Sequence, residues 1–360
     1  MTGPEAVELR RLRLPLVEPF GTAHGTQHER DVLLVRVLTS DAEGWGECAA
    51  LSEPTYTAEY TEGAADVLRR HLVPRLFDDA GLDSVQGHPM AKAALRAALL
   101  DAALRGEGRS LKDYLGAARS TVPVGVSVGL QPSLDAMLET VARYVEQGYA
   151  RVKLKIQPGW DVEPVSAVRD RFGPRLQLQV DANGSYTVDD ARHLQDLDSF
   201  ALVLIEQPLP ADDLLGHVAV AERITTPVCL DESIGSAADA DTAIRLGACR
   251  IVNIKAGRVG GLDEAVRIHD LCQKQGVPVW CGGMLETGVG RAAALALAAL
   301  PNFTLPADLS ASDRYYREDL TDPFVLHDGC LTVPDGPGIG VTPHPEALAQ
   351  FTTSVEQLVQ

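Results

Sequence analysis

The chain has 360 residues, 45% hydrophobic and 23% charged, with a formal net charge of -18. Nucleic-acid binders gather basic surface, so this balance argues against a phosphate-backbone partner. The six cysteines form no C-x-x-C pair, which points to reduced thiols in a cytoplasmic protein rather than to a disulfide frame or a zinc site. The N-terminus has no apolar signal-peptide core and no uncharged run reaches the ~18 residues of a membrane span.

In chain order, residues 5–19 and 31–39 (EAVELRRLRLPLVEP and DVLLVRVLT) predict two strands joined by a Gly- and Thr-rich loop over 20–26. GWGECAALSEPTY predicts a third strand and a loop, and TAEYTEGAADVLRRHLVPRLF and HPMAKAALRAALLDAALRGEG carry helical spacing. Strands followed by helices predict an α+β capping domain over 1–121.

From Val122 the pattern alternates. VPVGVSVG, RVKLKI, LQLQVDAN, LVLIEQP, PVCLDES, RIVNIKAG, VPVWCGG and FTLPADL read as eight strands separated by helical stretches. This predicts an α/β catalytic domain over 122–320, a (β/α)7β TIM-like barrel. The tail, 321–360, contains the Gly- and Pro-rich VPDGPGIGVTP. It is too short for its own core and is expected to pack back on the cap.

Lys155, Asp181, Glu206, Asp231 and Lys255 each close a short apolar run, at successive gaps of 26, 25, 25 and 24 residues. Such spacing is close to the ~30 residues of one unit of a (β/α)8 barrel, whose catalytic side chains project from the C-terminal ends of the strands. Alternation places Lys153 and Lys155 on one face. Three adjacent carboxylates aimed at one point repel unless a cation sits among them, and oxygen donors favour Mg2+ or Mn2+ over zinc.

Lys155 and Lys255 close the second and sixth strands and should face each other across the mouth. Lys153 beside Lys155, together with a divalent cation, would lower the pKa of the base. These parts suit removal of a proton α to a carboxylate: one lysine takes it, and the other returns a proton from the opposite face or stays cationic against the enediolate. A structural ring of ion pairs is the plainer alternative. Glu232 is turned away by alternation and is expected to act through a partner, and Asn183 is either a loop cap or a site contact.

The K-x-K at Lys153 and Lys155, D-A-N at Asp181, I-E-Q-P at Glu206, D-E-S at Asp231 and N-I-K ending at Lys255 resemble the motifs of the enolase superfamily, in its muconate-lactonizing-enzyme branch. EQGYARVKLKIQPGWD, WCGGMLETGVGRA and LPADLSASDRYYREDL are similar to the o-succinylbenzoate synthase / N-acylamino acid racemase family, which includes N-succinylamino acid racemases. The likeness spans nearly the whole chain. It implies a divalent metal on Asp181, Glu206 and Asp231, with Lys155 and Lys255 as the acid/base pair and Lys153 assisting.

By the same resemblance, Ser127, Gly282, Gly283, Met284 and Asp308 lie near the substrate, and cap loops carrying Phe20 and Tyr56 close over it. Asn183 is counted with the candidate substrate contacts, and Glu286 is expected only to hold its loop. The expected partner is a small carboxylate, handled by a homo-oligomer that makes o-succinylbenzoate for menaquinone synthesis, racemises N-acyl amino acids, or both. A cycloisomerase or dipeptide epimerase of the same branch, and a non-catalytic binding protein on a retained barrel, are the alternatives.

Overall fold

A computed structural model of the chain describes residues 3–23 and 25–359. Strands β1 (Ala6–Thr22), β2 (Gly25–Leu38) and β3 (Glu43–Cys48) form an antiparallel meander. The first two strands run further than the sequence suggests. Phe20 pairs with Gln27, Gly21 with Thr26 and Thr22 with Gly25, so most of the loop expected over 20–26 is a paired hairpin tip; residue 24 lies outside the described residues. Pairing satisfies backbone groups that a loop would leave to water. The register shifts between Pro15 and Phe20, and there Val17 N donates to the Tyr315 carbonyl at 2.9 Å, which ties the hairpin to the barrel mouth. Helix Pro89–Glu107 covers the inner face of the sheet, where Leu33, Val35 and Val37 pack with Leu68, Leu72, Ala94 and Leu95.

The predicted strand VPVGVSVG divides. Its start, β4 (Thr121–Pro123), pairs with a later strand of the tail, and its end, β5 (Gly125–Val128), opens a parallel sheet. That sheet continues through β6 (Arg151–Lys155), β7 (Leu178–Asp181), β8 (Ile205–Glu206), β9 (Val228–Leu230), β10 (Ile251–Ile254) and β11 (Val279–Cys281), each bonded to the next. Helices follow each of these strands, and Ser133, Asp161, Asp213, Ser236 and Thr287 cap five of them with their side chains, satisfying N–H groups the first turn cannot pair.

The eighth position is filled without a regular ladder. Residues 303–308 bridge Val279 through Phe303 and Val124 through Ala307. Ala307 N donates to Pro123 O at 2.9 Å, Gly125 N to Ala307 O at 2.7 Å, and Asp308 N to Cys281 O at 2.8 Å. Pro306 has no N–H to add, so the FTLPADL segment closes the ring by single bridges on both sides, completing a (β/α)7β barrel.

The tail returns twice. β12 (Cys330–Thr332) pairs with β4, and β13 (Thr352–Val359) adds an outer strand to the meander against β1, from Ala6↔Val359 to Leu12↔Thr352. The α+β cap is thus built from both ends of the chain. Cys48, Cys229, Cys249, Cys272 and Cys281 are free and buried. Among the described residues no helix is long and apolar enough to cross a membrane.

Candidate active site

Barrel register brings the repeating charges to one level. Lys155 pairs with Asp181 on β7, Asp181 with Glu206 on β8, and Glu206 with Cys229, two residues before Asp231. Side chains alternate along a strand, so Arg151, Lys153 and Lys155 point together into the barrel, where all three are buried. Arg151 and Lys153 lie over the Trp280 ring at 5.0 and 5.1 Å.

Each amine sits among carboxylates. Lys155 Nζ donates to Asp181 Oδ2 and Asn183 Oδ1, both at 2.6 Å. Lys153 Nζ is 2.8 Å from Asp308 Oδ2 and 3.1 Å from both Asp181 Oδ2 and Glu206 Oε2. Lys255 Nζ donates to Asp231 Oδ2 at 2.7 Å and to the Tyr56 hydroxyl at 2.8 Å. Tyr56 in turn donates to Asp231 Oδ2 at 3.0 Å, and Arg258 pairs with Asp231 Oδ1. Asn253 donates to Glu206 Oε1 at 2.7 Å.

Electrostatics among these buried side chains follow the neighbours. Burial disfavours the Lys153 charge, but Asp308, Glu206 and Asp181 outweigh it and hold that pKa well above the usual lysine value. Lys255 is raised in the same way, with Tyr56, Glu206 and Glu232 acting against burial. Burial would raise Asp181, yet Lys155 and Lys153 pull it far below the carboxylate range. Asp308 is lowered to about 2 by Lys153 and Arg151 against its burial. Glu206 and Glu232 move the other way, pushed up by burial and then by the charge on Asp181.

Among the described residues no three acidic, histidine or cysteine side chains are gathered closely enough to complete an ion site by themselves, because amines stand between the carboxylates. The donor chemistry nevertheless fits a hard divalent cation. Asp181, Glu206 and Asp231 offer only oxygen from three adjacent strands, and Glu232 Oε2 is buried without a hydrogen-bond partner.

Above this floor lies a cavity at the mouth of the barrel. Lys153, Lys155 and Lys255 reach it from below, and Phe20, Tyr56, Ser127, Asn183, Gly283, Met284 and Asp308 line it. Gly282 does not. It lies against Lys255 Cε and Asn253, on the wall of a second cavity behind the lysine. Asn183 has a φ of 45°, a turn conformation, and its side chain bridges Lys155 and Glu232, accepting from the first and donating to the second at 2.9 Å. Glu232 thus touches the site through a partner.

Several contacts were not foreseen. Arg151 lies two residues before Lys153, on the face alternation had already defined, and donates to Asp308 at 3.3 Å; the signal was there to read. Asn253 stands in the same relation to Lys255. Leu51, Leu285 and Tyr315 also line the cavity, but only folding brings those loops together.

A closed barrel of parallel strands with acids on three successive strand ends and lysines on either side defines an enzyme of the enolase superfamily. The family model described as Enolase C-terminal domain-like matches residues 136–347. An N-succinylamino acid racemase from Amycolatopsis sp is 56% identical over 357 residues, covering 97% of both chains. An o-succinylbenzoate synthase from Bacillus subtilis (strain 168) is 44% identical, over 99% of this chain and 98% of its own. A solved structure of an enolase superfamily member from Listeria innocua superposes with a TM-score of 0.95 at 39% identity over the whole of both chains. The chain belongs to the o-succinylbenzoate synthase / N-succinylamino acid racemase family of that superfamily. Enzymes of the superfamily depend on a divalent metal.

Proposed function

We propose that this enzyme removes the proton α to the carboxylate of a small substrate, and that it does so as an o-succinylbenzoate synthase, an N-succinylamino acid racemase, or both. The observation that carries the reading is the presence of two buried lysine amines on one cavity, from the second and sixth strands of the ring, each held by a carboxylate at a neighbouring strand end.

Asp181, Glu206 and Asp231 would hold Mg2+ or Mn2+. When bound, the ion supplies positive charge to the anion that forms as the α-proton leaves. Lys155 takes that proton at Nζ, positioned by Asn183 and Asp181. Lys153 stays charged among its three carboxylates, beside Lys155. Lys255 works from the opposite side: returning a proton gives the other enantiomer, and remaining an ammonium stabilises the enediolate while a β leaving group departs. Phe20 and Tyr56, on the hairpin and loop of the cap, exclude water from the anion.

Both reactions are tested on one preparation, with Mg2+ and after EDTA. The reading expects turnover of an N-succinylamino acid, of the cyclohexadiene precursor of o-succinylbenzoate, or of both. It also expects loss of turnover after EDTA and recovery on adding Mg2+ or Mn2+. Full activity without metal, or no activity on either substrate with it, would refute it.

A further inference from the structure

Behind Lys255 a second cavity separates the end of the cap sheet from the barrel, and Glu47 and Glu286 stand on its wall. Glu47 has no part in the proton transfers above, yet its carboxylate ties the cap to the barrel through several bonds. Its carboxylate accepts from Thr287 N at 3.1 and 3.2 Å, from the Thr287 hydroxyl at 2.6 Å and from Gly290 N at 2.9 Å. Those donors open helix Gly288–Ala298, where the N-terminal N–H groups favour a carboxylate.

Both ends of this contact are fixed. On the cap side, Gly44 and Gly46 let β3 press on helix Pro89–Glu107 so closely that a Cβ at either would strike the backbone of Ala98 or Ala94. On the barrel side, Asp319 accepts from Gly288 N at 2.8 Å, Arg291 holds the Glu286 carbonyl at 2.8 Å and Tyr316 holds the Leu285 carbonyl at 2.5 Å. Leu285, between them, has a φ of 58°, a left-handed conformation that a leucine keeps only when its surroundings enforce it. Met284 and Leu285 are also the part of this loop whose side chains reach the substrate cavity.

We propose that Glu47 is a positioning residue that locks the loop Gly282–Thr287 to the cap and so sets the shape of the pocket wall made by Met284 and Leu285. The role rests on the functional reading above and extends it to specificity. Met284 and Leu285 line the cavity without contributing a proton-carrying group, so loosening them should weaken binding of the substrate's side chain and leave the proton transfers in place. Gly290 fits the same account. A Cβ there would come within 2.9 Å of Glu47 Oε2 and of the Glu286 side chain, so a side chain at 290 would crowd both acids where glycine does not.

The test uses the full chain with Mg2+. Glu47→Gln and Thr287→Val, the second removing one hydroxyl at nearly constant shape, are each expected to raise KM for an N-succinylamino acid with a large apolar side chain by about tenfold, the weight of one charge-assisted hydrogen bond. KM for a small side chain and kcat should change far less. Glu43→Gln, at the other end of β3 where Glu43 pairs with Arg36, should leave both constants unaltered. Amide exchange over 282–290 should quicken in the first two variants and not in the third, a readout independent of which substrate is turned over. Unchanged exchange, a fall in kcat at constant KM, or the same response from Glu43→Gln would overturn the proposal. Should Glu47→Gln not fold, Thr287→Val decides. If the unaltered enzyme turns over neither substrate, the functional reading fails while the exchange measurement still judges the lock.

Discussion

Lys155 and Lys255, on opposite sides of the site, are anchored differently. Lys155 is held by Asp181 and Asn183, both from the barrel, and Lys153 lies beside it. Lys255 shares its anchor: Asp231 comes from the barrel, but the second partner is the Tyr56 hydroxyl from a cap loop, and Arg258 takes the other oxygen of Asp231. One half of the site is therefore complete once the barrel folds, and the other is complete only when the cap is seated. A reaction that needs one base leans on the first half. Racemisation needs both, so its rate should report on the cap as well.

That contrast can be broken at several points. Lys155→Ala should cost the most, abolishing both reactions with a loss of at least about 10²- to 10⁴-fold in kcat, while circular dichroism shows an intact fold; undiminished turnover would remove Lys155 from its role. Lys255→Ala should stop racemisation to the same extent but lower the dehydration by only about 10²- to 10³-fold, the cost of losing one cationic partner of the developing anion. Equal losses in the two reactions would erase the proposed asymmetry.

Tyr56→Phe and Asn183→Ala sharpen it further. Each removes one hydrogen bond to an amine, worth about tenfold. The first should slow racemisation more than dehydration, and the second should slow both alike, as paired kcat measurements on the two substrates would reveal. The smallest effect concerns Glu47, whose carboxyl is pushed up to about 7 by burial and by the charge of Glu286. The folded protein binds this proton more tightly than the unfolded chain, whose value is near 4.5. Stability should accordingly fall as pH rises between those values, and Glu47→Gln should flatten that slope in denaturant titrations; an unaltered slope would place the proton elsewhere.

Much of the barrel was legible because its signal is local. Short apolar runs ending in a charge at nearly constant spacing gave the strands, and alternation within RVKLK gave the inward face that Arg151 also shares. The expected loop over 20–26 proved to be mostly strand because its Gly- and Thr-rich composition reads as a turn, while Gly21 with Thr26 and Thr22 with Gly25 pair across a hairpin tip. FTLPADL was foreseen as a strand but closes the ring through single bridges around Pro306. Arg258 on Asp231, Tyr56 on Lys255 and the left-handed turn at Leu285 are products of tertiary geometry, and no periodicity announces them.

The account stands on two amines addressing opposite faces of one carbon acid. It is tested most directly by running each enantiomer of an N-succinylamino acid in deuterated solvent with the Mg2+-loaded enzyme and following the α-hydrogen by NMR. Deuterium should enter both enantiomers, with Lys155→Ala and Lys255→Ala each suppressing exchange from a different one. Exchange confined to a single enantiomer in the unaltered enzyme, or suppression of the same enantiomer by both substitutions, would contradict it.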